Sequence, residues 1–342
     1  MGRRLLVTLL AACAAVPAAP AVAEPAGAGH PDWSCCAAIA EFPKDFPVLL
    51  DADWGYPIGG WGGIRRRAPL ARTPVIFVHG NGEDASFWDL DNETSVAVNV
   101  RARFRAAGYS DQELWALSYN GQRCGSNLCQ TYNQINVADF AAFMRVVLDY
   151  TGARTVDVVA HSLGVTVVRR ALYEQPDLVA HVEDAIFASG ANHGTTTCRG
   201  SGSIKGCDEM EPGSAWLAEL NADETPGAIR FVTICDCTGV ADHFFLAVDA
   251  RSPQLDGAEN LEIPGSLHFM TARGPDAFSR FLPLVRRKAR RSEVLGFHAS
   301  RIPGATLPAT GLRAASVGWV LLGAAGLIVA GMLLGKAWRL KR

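Results

Sequence analysis

The chain has 342 residues, of which 49% are hydrophobic and 19% charged, and this composition excludes an intrinsically disordered protein. The formal net charge is −2, but residues 1–23 and 311–342 carry seven of the 32 basic side chains and none of the 34 acidic ones. The body between them therefore has a net charge of about −9. Such an acidic body argues against nucleic acid as a partner, because phosphate binding needs a basic face.

The first 23 residues are predicted to be a secretory signal peptide. Arg3 and Arg4 precede an apolar stretch. Residues 21–23, of sequence AVA, form the small-residue A-x-A motif after which a signal peptidase cleaves. An alternative is lipid attachment at Cys13, because residues 10–13 resemble a bacterial lipobox. The segment 24–72 is rich in Pro, Gly and Trp, and we expect it to pack on the core as irregular chain.

Residues 73–285 alternate between strand-like and helix-like patterns. Short runs rich in apolar residues predict buried strands, and a spacing of three and four between apolar residues predicts helices. The predicted strands are 75–78, 114–119, 155–160, 185–188, 229–234 and 260–263, and the predicted helices are 136–150, 163–173 and 276–285. This alternation predicts an α/β domain with a mostly parallel central sheet and helices on both faces.

The predicted strand 75–78 runs into His79-Gly80-Asn81-Gly82. Glycines at such a turn let the backbone approach a ligand closely and adopt positive φ. His79 is a candidate base, but we interpret it as a residue that orders this loop.

The most informative stretch, 156–165, has the sequence VDVVAHSLGV. An apolar strand there runs into a turn that carries Ser162, and a helical pattern follows, as in a nucleophile elbow. The residues two before and two after the serine are the small Ala160 and Gly164, which suit a strained turn. The backbone N–H groups of Asn81 and Leu163 would then be the two donors to an oxyanion. An ordinary serine helix cap is the alternative interpretation.

A nucleophilic serine needs a histidine base and a carboxylate that orients it. Histidines follow Ser162 at positions 181, 193, 243, 268 and 298. We favour His268 because it comes just after the last predicted strand. For the acid we favour Asp242, on the loop after strand 229–234, over Asp236, which lies between two cysteines. Other candidates are Asp249 and Asp256.

Eight cysteines lie between residues 24 and 310, and an even number in an exported protein indicates disulfides. Cys124–Cys129 and Cys198–Cys207 would be local pairs, while Cys235 and Cys237 could reach Cys35 and Cys36. Zinc binding is the weaker alternative, because no C-x2-C pair faces a second one.

The C-terminal region looks like a cell-wall sorting signal. A basic linker, 286–306, precedes Leu-Pro-Ala-Thr-Gly at 307–311, and the uncharged run 314–335 and a basic tail follow. A run of that length can span a bilayer. The order resembles the L-P-x-T-G signal of Gram-positive surface proteins, in which a sortase cuts between threonine and glycine, here Thr310 and Gly311, and joins the protein to peptidoglycan. A single-pass membrane anchor is the alternative.

The body resembles the small secreted bacterial lipases of the α/β-hydrolase superfamily, lipase class 2, over about residues 73–284. The matching pieces are 75–82, 160–164, 189–194, 241–242 and 255–260 leading to His268. The resemblance implies an α/β-hydrolase fold over a catalytic domain 73–285, with Ser162, Asp242 and His268 at the family's triad positions. We interpret 189–194 as a turn that shapes the site wall. The added residues between 191 and 227 could partly cover the site.

The expected function is that of a secreted, surface-anchored serine ester hydrolase, a triacylglycerol lipase or carboxylesterase. Its substrate would be an acyl ester, and no metal or organic cofactor is expected. Sortase, peptidoglycan and, before processing, the membrane are the other expected partners. The alternatives are an acyltransferase, thioesterase or peptidase on the same fold and a displayed adhesin without activity.

Overall fold

The computed structural model describes residues 40–52, 55, 57–66, 68–90, 96–119, 132–198 and 205–285. The predicted signal peptide, linker, sorting signal and membrane span lie outside these ranges. Across the described residues, no helix is both long and apolar enough to cross a membrane.

The described residues form one eight-stranded sheet with helices on both faces, which confirms the predicted α/β architecture. The strands are β1 (Ala40–Glu41), β2 (Gly59–Gly62), β3 (Val75–Val78), β4 (Leu114–Ser118), β5 (Val156–His161), β6 (Val182–Ala188), β7 (Arg230–Cys235) and β8 (Glu259–Glu262). The α-helices are α1 (Val100–Ala106), α2 (Asn133–Thr151), α3 (Leu163–Glu174), α4 (Lys205–Glu209), α5 (Ala215–Leu220), α6 (Met270–Arg273) and α7 (Pro275–Val285).

The strand order is β1-β2-β4-β3-β5-β6-β7-β8. Neighbouring strands are parallel except β2 and β4, which are antiparallel. Parallel strands place their carboxyl ends at one edge of the sheet, where loops of such folds gather ligands. The segments that follow β3, β5, β6, β7 and β8 therefore meet at this edge.

Alternate side chains of the central strands face two separate hydrophobic cores. Ile76 and Val158 pack in the core that includes Phe140 of α2, whereas Phe77 packs with Phe104 of α1 in the other. Strands buried on both faces appear in the sequence as continuous apolar runs. This pattern is the reason why the central strands could be predicted from the sequence.

The segment before β3, which was expected to be irregular, contributes β1 at the edge of the sheet and β2 beside it. In β2, Gly60 has φ +130°, and a Cβ atom there would lie 2.0 Å from the backbone oxygen of Ala116 in β4. Glycine is depleted in ordinary strands, so a Gly-Gly-Trp-Gly sequence gives no strand signal. The strand forms because glycine permits this close approach to β4.

Candidate active site

Ser162 occupies the sharp turn between β5 and α3. Its φ of 54° and ψ of −126° are unusual for a residue with a side chain and store backbone strain. The Ser162 N–H donates to the Ala188 carbonyl at 2.9 Å, which ties the turn to the end of β6. The hydroxyl thus stands at the N-terminus of α3, where the helix dipole favours negative charge.

The structure brings Ser162, His268 and Asp242 together in one chain of hydrogen bonds. The Oγ atom of Ser162 lies 2.8 Å from Nε2 of His268. The Nδ1 atom of His268 lies 2.9 Å from both carboxylate oxygens of Asp242. Asp242 comes from the loop after β7 and His268 from the loop after β8, so the sheet edge positions all three side chains.

The environment keeps His268 neutral near neutral pH. Burial lowers the pKa of His268, the hydrogen bond that Nδ1 donates to Asp242 opposes this effect, and the neighbouring imidazole of His161 lowers the pKa further. The net pKa lies below the usual value for histidine. A neutral imidazole held against Asp242 through Nδ1 leaves Nε2 free to accept the Ser162 proton.

Asp242 has a further partner that the sequence interpretation missed. The Ser189 hydroxyl donates to Oδ2 of Asp242 at 2.8 Å, and the N–H of Phe244 donates to Oδ1 at 3.2 Å. Ser189 is fully buried and has φ 45°. The turn 189–194 therefore contacts the predicted acid directly. Its position at the carboxyl end of β6, beside β5 and β7, is the signal that could have identified it.

The loop after β3 packs closely against the elbow. A Cβ atom at Gly80 would lie 2.9 Å from Cβ of Ser162, and one at Gly164 would lie 2.3 Å from the backbone oxygen of His79. Both positions must be glycine for the loop and helix to approach in this way. Asn81 follows Gly80 directly. Leu163 is the first residue of α3, so its N–H group has no carbonyl acceptor within the helix.

His79 is buried within this loop. Its ring stacks on Tyr119 with centroids 4.0 Å apart, and its Nδ1 lies 2.8 Å from the backbone oxygen of Gly80. The Tyr119 hydroxyl donates to the His79 carbonyl at 2.6 Å. These contacts fit a residue that orders the loop. Burial also lowers the pKa of His79.

A second acid–histidine pair was not predicted from the sequence. It consists of His161, the residue before Ser162, and Glu83, from the loop after β3. A Glu83 carboxylate oxygen is 3.2 Å from Nδ1 of His161 and accepts from the Gly80 N–H at 2.7 Å. Burial opposes ionisation of Glu83, but His161 and the Gly80 N–H outweigh it and hold its pKa below the usual value. The other ring nitrogen of His161, Nε2, lies 3.2 Å from the backbone oxygen of His268.

Other candidate residues have different partners. His193 contacts Ser252 and Glu224, and His181 contacts the carbonyl of Arg154. Asp249 accepts from the N–H of Thr196, and Asp256 is exposed. His298 lies outside the described residues. Within those residues, no group of three or more His, Cys, Asp or Glu side chains could hold a metal ion.

The described cysteines give one complete disulfide. Cys235 is bonded to Cys237, which replaces the suggested link from these two residues to Cys35 and Cys36. Cys207 is also disulfide-bonded. The predicted pair Cys124–Cys129 lies outside the described ranges.

Known proteins resemble the chain in sequence and in fold. Residues 72–238 match the family model Lipase (class 2), a stretch that contains the loop after β3 and Ser162 and ends before Asp242. No curated protein matches the sequence. The mature form of Bacillus licheniformis lipase BlEst2 is 19% identical, with a TM-score of 0.51, over 64% of this chain and 96% of that one.

The propeptide form of the same Bacillus licheniformis lipase gives a TM-score of 0.52 at 19% identity, over 69% of this chain and 55% of that one. At this identity the structural likeness concerns the fold, which is that of an α/β-hydrolase. The sequence match and the α/β-hydrolase fold both agree with the resemblance to class 2 lipases.

Proposed function

We propose that the protein is a serine carboxylic ester hydrolase, a lipase or carboxylesterase. The hydrogen-bond chain from Ser162 through His268 to Asp242 carries the proposal. Ser162 attacks the acyl carbonyl while His268 takes its proton and Asp242 stabilises the imidazolium. His268 then protonates the leaving alcohol. Water, activated by His268, releases the acid from the acyl-enzyme and restores the serine.

The backbone N–H groups of Asn81 and Leu163 would stabilise the oxyanion. Two features support this assignment: the close approach of Gly80 to Ser162 and the place of Leu163 at the start of α3. Donors that are fixed in position before the reaction need no reorganisation as negative charge develops.

Apolar side chains around His268 favour a hydrocarbon acyl group in the substrate. The Phe244 ring lies 4.4 Å from the His268 ring, centroid to centroid, and 52% of Phe244 is exposed. Leu246, two residues after Phe244, is 46% exposed, and Leu267, directly before His268, is 38% exposed. Exposed apolar side chains grouped at a site are typical of a surface that binds an apolar ligand.

The experiment compares hydrolysis of p-nitrophenyl butyrate and palmitate by the full chain with that by Ser162→Ala. We expect the variant to lose activity by several orders of magnitude and to remain folded. Ser279→Ala, an exposed serine of α7, is the matched control and should keep full activity. The ratio of the two rates separates esterase from lipase.

Retention of activity by Ser162→Ala would refute the mechanism. Labelling of Ser162 by a phosphonate without turnover of either ester would indicate a different acyl substrate or acceptor, as in a transferase, thioesterase or peptidase. If the folded protein shows no labelling and no turnover, the result would favour a displayed adhesin without activity.

We also propose that the protein is exported and attached to the cell wall. The basic and apolar N-terminus and the order of the Leu-Pro-Ala-Thr-Gly motif, apolar run and basic tail support this. In a Gram-positive host with an active sortase, the protein should be released from the wall by muramidase. Pro308→Ala should leave it in the membrane fraction, and the same wall attachment with this variant would contradict the proposal.

A further inference from the structure

The Cys235–Cys237 disulfide encloses Asp236 at the carboxyl end of β7. Asp236 is fully buried. The sequence allows Asp236 as the acid of the triad, but in the structure Asp242 makes the contact with His268. A buried carboxylate needs hydrogen-bond donors to offset its lost hydration, so its partners indicate what it does.

The Asp236 carboxylate accepts hydrogen bonds from two separate loops. Its Oδ2 accepts from the N–H groups of Val240 and Ala241, each at 3.2 Å, and of Asp242 at 3.3 Å. Its Oδ1 accepts from the N–H of Gly265 at 2.7 Å. The Thr238 hydroxyl adds a further donor, 2.8 Å from Oδ1 and 2.9 Å from Oδ2.

These two loops carry the acid and the base of the proposed reaction. In the loop after β7, the last N–H group that donates to Asp236 is that of Asp242, the proposed acid. In the loop after β8, Gly265 lies three residues before His268, the proposed base. The Asp242–His268 hydrogen bond of 2.9 Å joins the same two loops at the site. Asp236 is therefore a second connection between them, which fixes how far apart the two side chains stand.

The ionised form of Asp236 is the one that suits these donors. Burial opposes ionisation, but the N–H of Gly265, the Thr238 hydroxyl and the other backbone donors outweigh it and lower the pKa of Asp236. Hydrogen bonds to a charged group are stronger than those between neutral groups. The carboxylate thus holds both loops at neutral pH.

The disulfide holds the backbone that presents this carboxylate. Cys237 has φ 52°, a left-handed conformation that is costly for a residue other than glycine. On its other side, the Cys235 carbonyl accepts from the Ile263 N–H at 2.8 Å, close to Gly265 in the chain. A three-residue covalent ring keeps Asp236 between its two sets of donors.

We propose that Asp236 is a positioning residue that couples the Asp242 loop to the His268 loop, and that the Cys235–Cys237 disulfide fixes it in place. This inference rests on the proposed function. Asp236 does not touch the reacting atoms, so its effect on turnover passes through the geometry of Asp242 and His268.

The test is Asp236→Asn in the full chain, because asparagine keeps the shape but turns one acceptor oxygen into an N–H donor. We expect kcat to fall by roughly tenfold to a hundredfold with little change in KM. The acid limb of the kcat/KM profile should move to lower pH, because the Asp242 hydrogen bond that raises the His268 pKa is loosened. Asp256→Asn, at an exposed aspartate between β7 and β8, is the matched control and should change neither quantity.

An unchanged kcat and an unchanged acid limb in folded Asp236→Asn would overturn the proposal, because a structural role alone changes only the unfolding temperature. If that variant does not fold, the double variant Cys235→Ala and Cys237→Ala decides, since it keeps the carboxylate and frees its backbone. A loss of kcat with the same pH shift supports the proposal, and wild-type values overturn it.

A proton NMR signal from the Nδ1 hydrogen bond of His268 provides a readout that needs no substrate. In the wild type this far-downfield resonance should be visible, and in Asp236→Asn it should broaden or move upfield. If the wild-type protein shows neither turnover nor phosphonate labelling, the proposed function is refuted. The positioning role of Asp236 can still be tested in that case, because the Nδ1 proton signal of His268 needs no substrate. An identical signal in both proteins would refute the positioning role.

Discussion

The backbone oxygen of His268 lies 3.2 Å from Nε2 of His161, so the residue before the nucleophile also contacts the loop of the base. The Nδ1 atom of the same ring is 3.2 Å from the Glu83 carboxylate. Both partners are hydrogen-bond acceptors, one at each ring nitrogen of His161. His161 thereby connects the elbow, the loop after β3 and the His268 loop.

Replacing His161 with phenylalanine should slow turnover without unfolding the protein. Phenylalanine can keep the stacking on Phe87, whose ring is 4.8 Å from that of His161, but it removes both hydrogen bonds. We expect kcat to fall by about 5- to 30-fold, the equivalent of one or two ordinary hydrogen bonds. His181→Phe, which changes a histidine just before β6, is the control, and kcat is measured with the butyrate ester. Equal kcat values in the two variants would count against a role for His161.

The pH dependence of hydrolysis should follow the lowered pKa of His268. The reaction needs the neutral imidazole, so kcat/KM should stay high into the mildly acidic range and reach half its plateau below pH 6.5. The folded protein binds this proton less readily than the unfolded chain, so protein stability should also decrease as pH falls below that value. Released butyrate is quantified by chromatography, because the absorbance of p-nitrophenol itself changes with pH. A kcat/KM profile that reaches half its plateau above pH 6.5 would contradict the expectation.

The same profile in His161→Phe should shift in the opposite direction from that in Asp236→Asn. The neighbouring His161 imidazole lowers the pKa of His268, so its removal should raise that pKa and move the acid limb to higher pH. The measurement is kcat/KM for the butyrate ester from pH 4 to 8, about the range in which histidine and carboxylates titrate. A shift to lower pH would show that the two imidazoles do not interact as described.

Ser189→Ala should reduce catalysis through Asp242. The variant removes the hydroxyl that donates to Oδ2 of Asp242 and leaves the His268 contact in place. A hydrogen bond to a charged group is worth about 1.5–3 kcal/mol, so kcat/KM should fall by roughly tenfold to a hundredfold. Ser279→Ala on the surface is again the control. A loss no larger than that of the control would mean that Ser189 only shapes the turn.

The central sheet and the three triad candidates could be predicted because their signals are local. An apolar run that ends in a small-residue turn identifies β5 and Ser162 without knowledge of the rest of the chain. The predicted helix 163–173 ends one residue short of α3, and the predicted strand 260–263 is displaced by one residue from β8. Chain order after Ser162 left several histidines and aspartates as candidates, and their positions after predicted strands favoured Asp242 and His268.

The supporting contacts could not be predicted because they join residues far apart in the chain. Glu83 and His161 are separated by 78 residues, and Ser189 and Asp242 by 53. Neither pair has a spacing that any local pattern specifies. The short helix α1, with three arginines among seven residues, also lacks a clear apolar stripe.

Gly164→Ala tests whether the close approach of α3 and the loop after β3 is required for activity. Gly164 has an ordinary helical backbone, so alanine is penalised only by contact: its Cβ would lie 2.3 Å from the His79 backbone oxygen. Displacing that loop moves Asn81 away from Ser162, and overpacking of this kind costs about 1–3 kcal/mol. We expect a lower melting temperature together with a large loss of kcat.

Gly213→Ala supplies the comparison, because its φ of +81° penalises alanine while no atom lies within 4 Å of the added Cβ. A left-handed alanine costs roughly 1–2 kcal/mol, so this variant should also melt earlier. It should nevertheless keep kcat when assayed below its melting temperature. If both variants lost stability and both kept kcat, the loop after β3 would not supply an oxyanion donor, and the assignment of Asn81 would have to be abandoned.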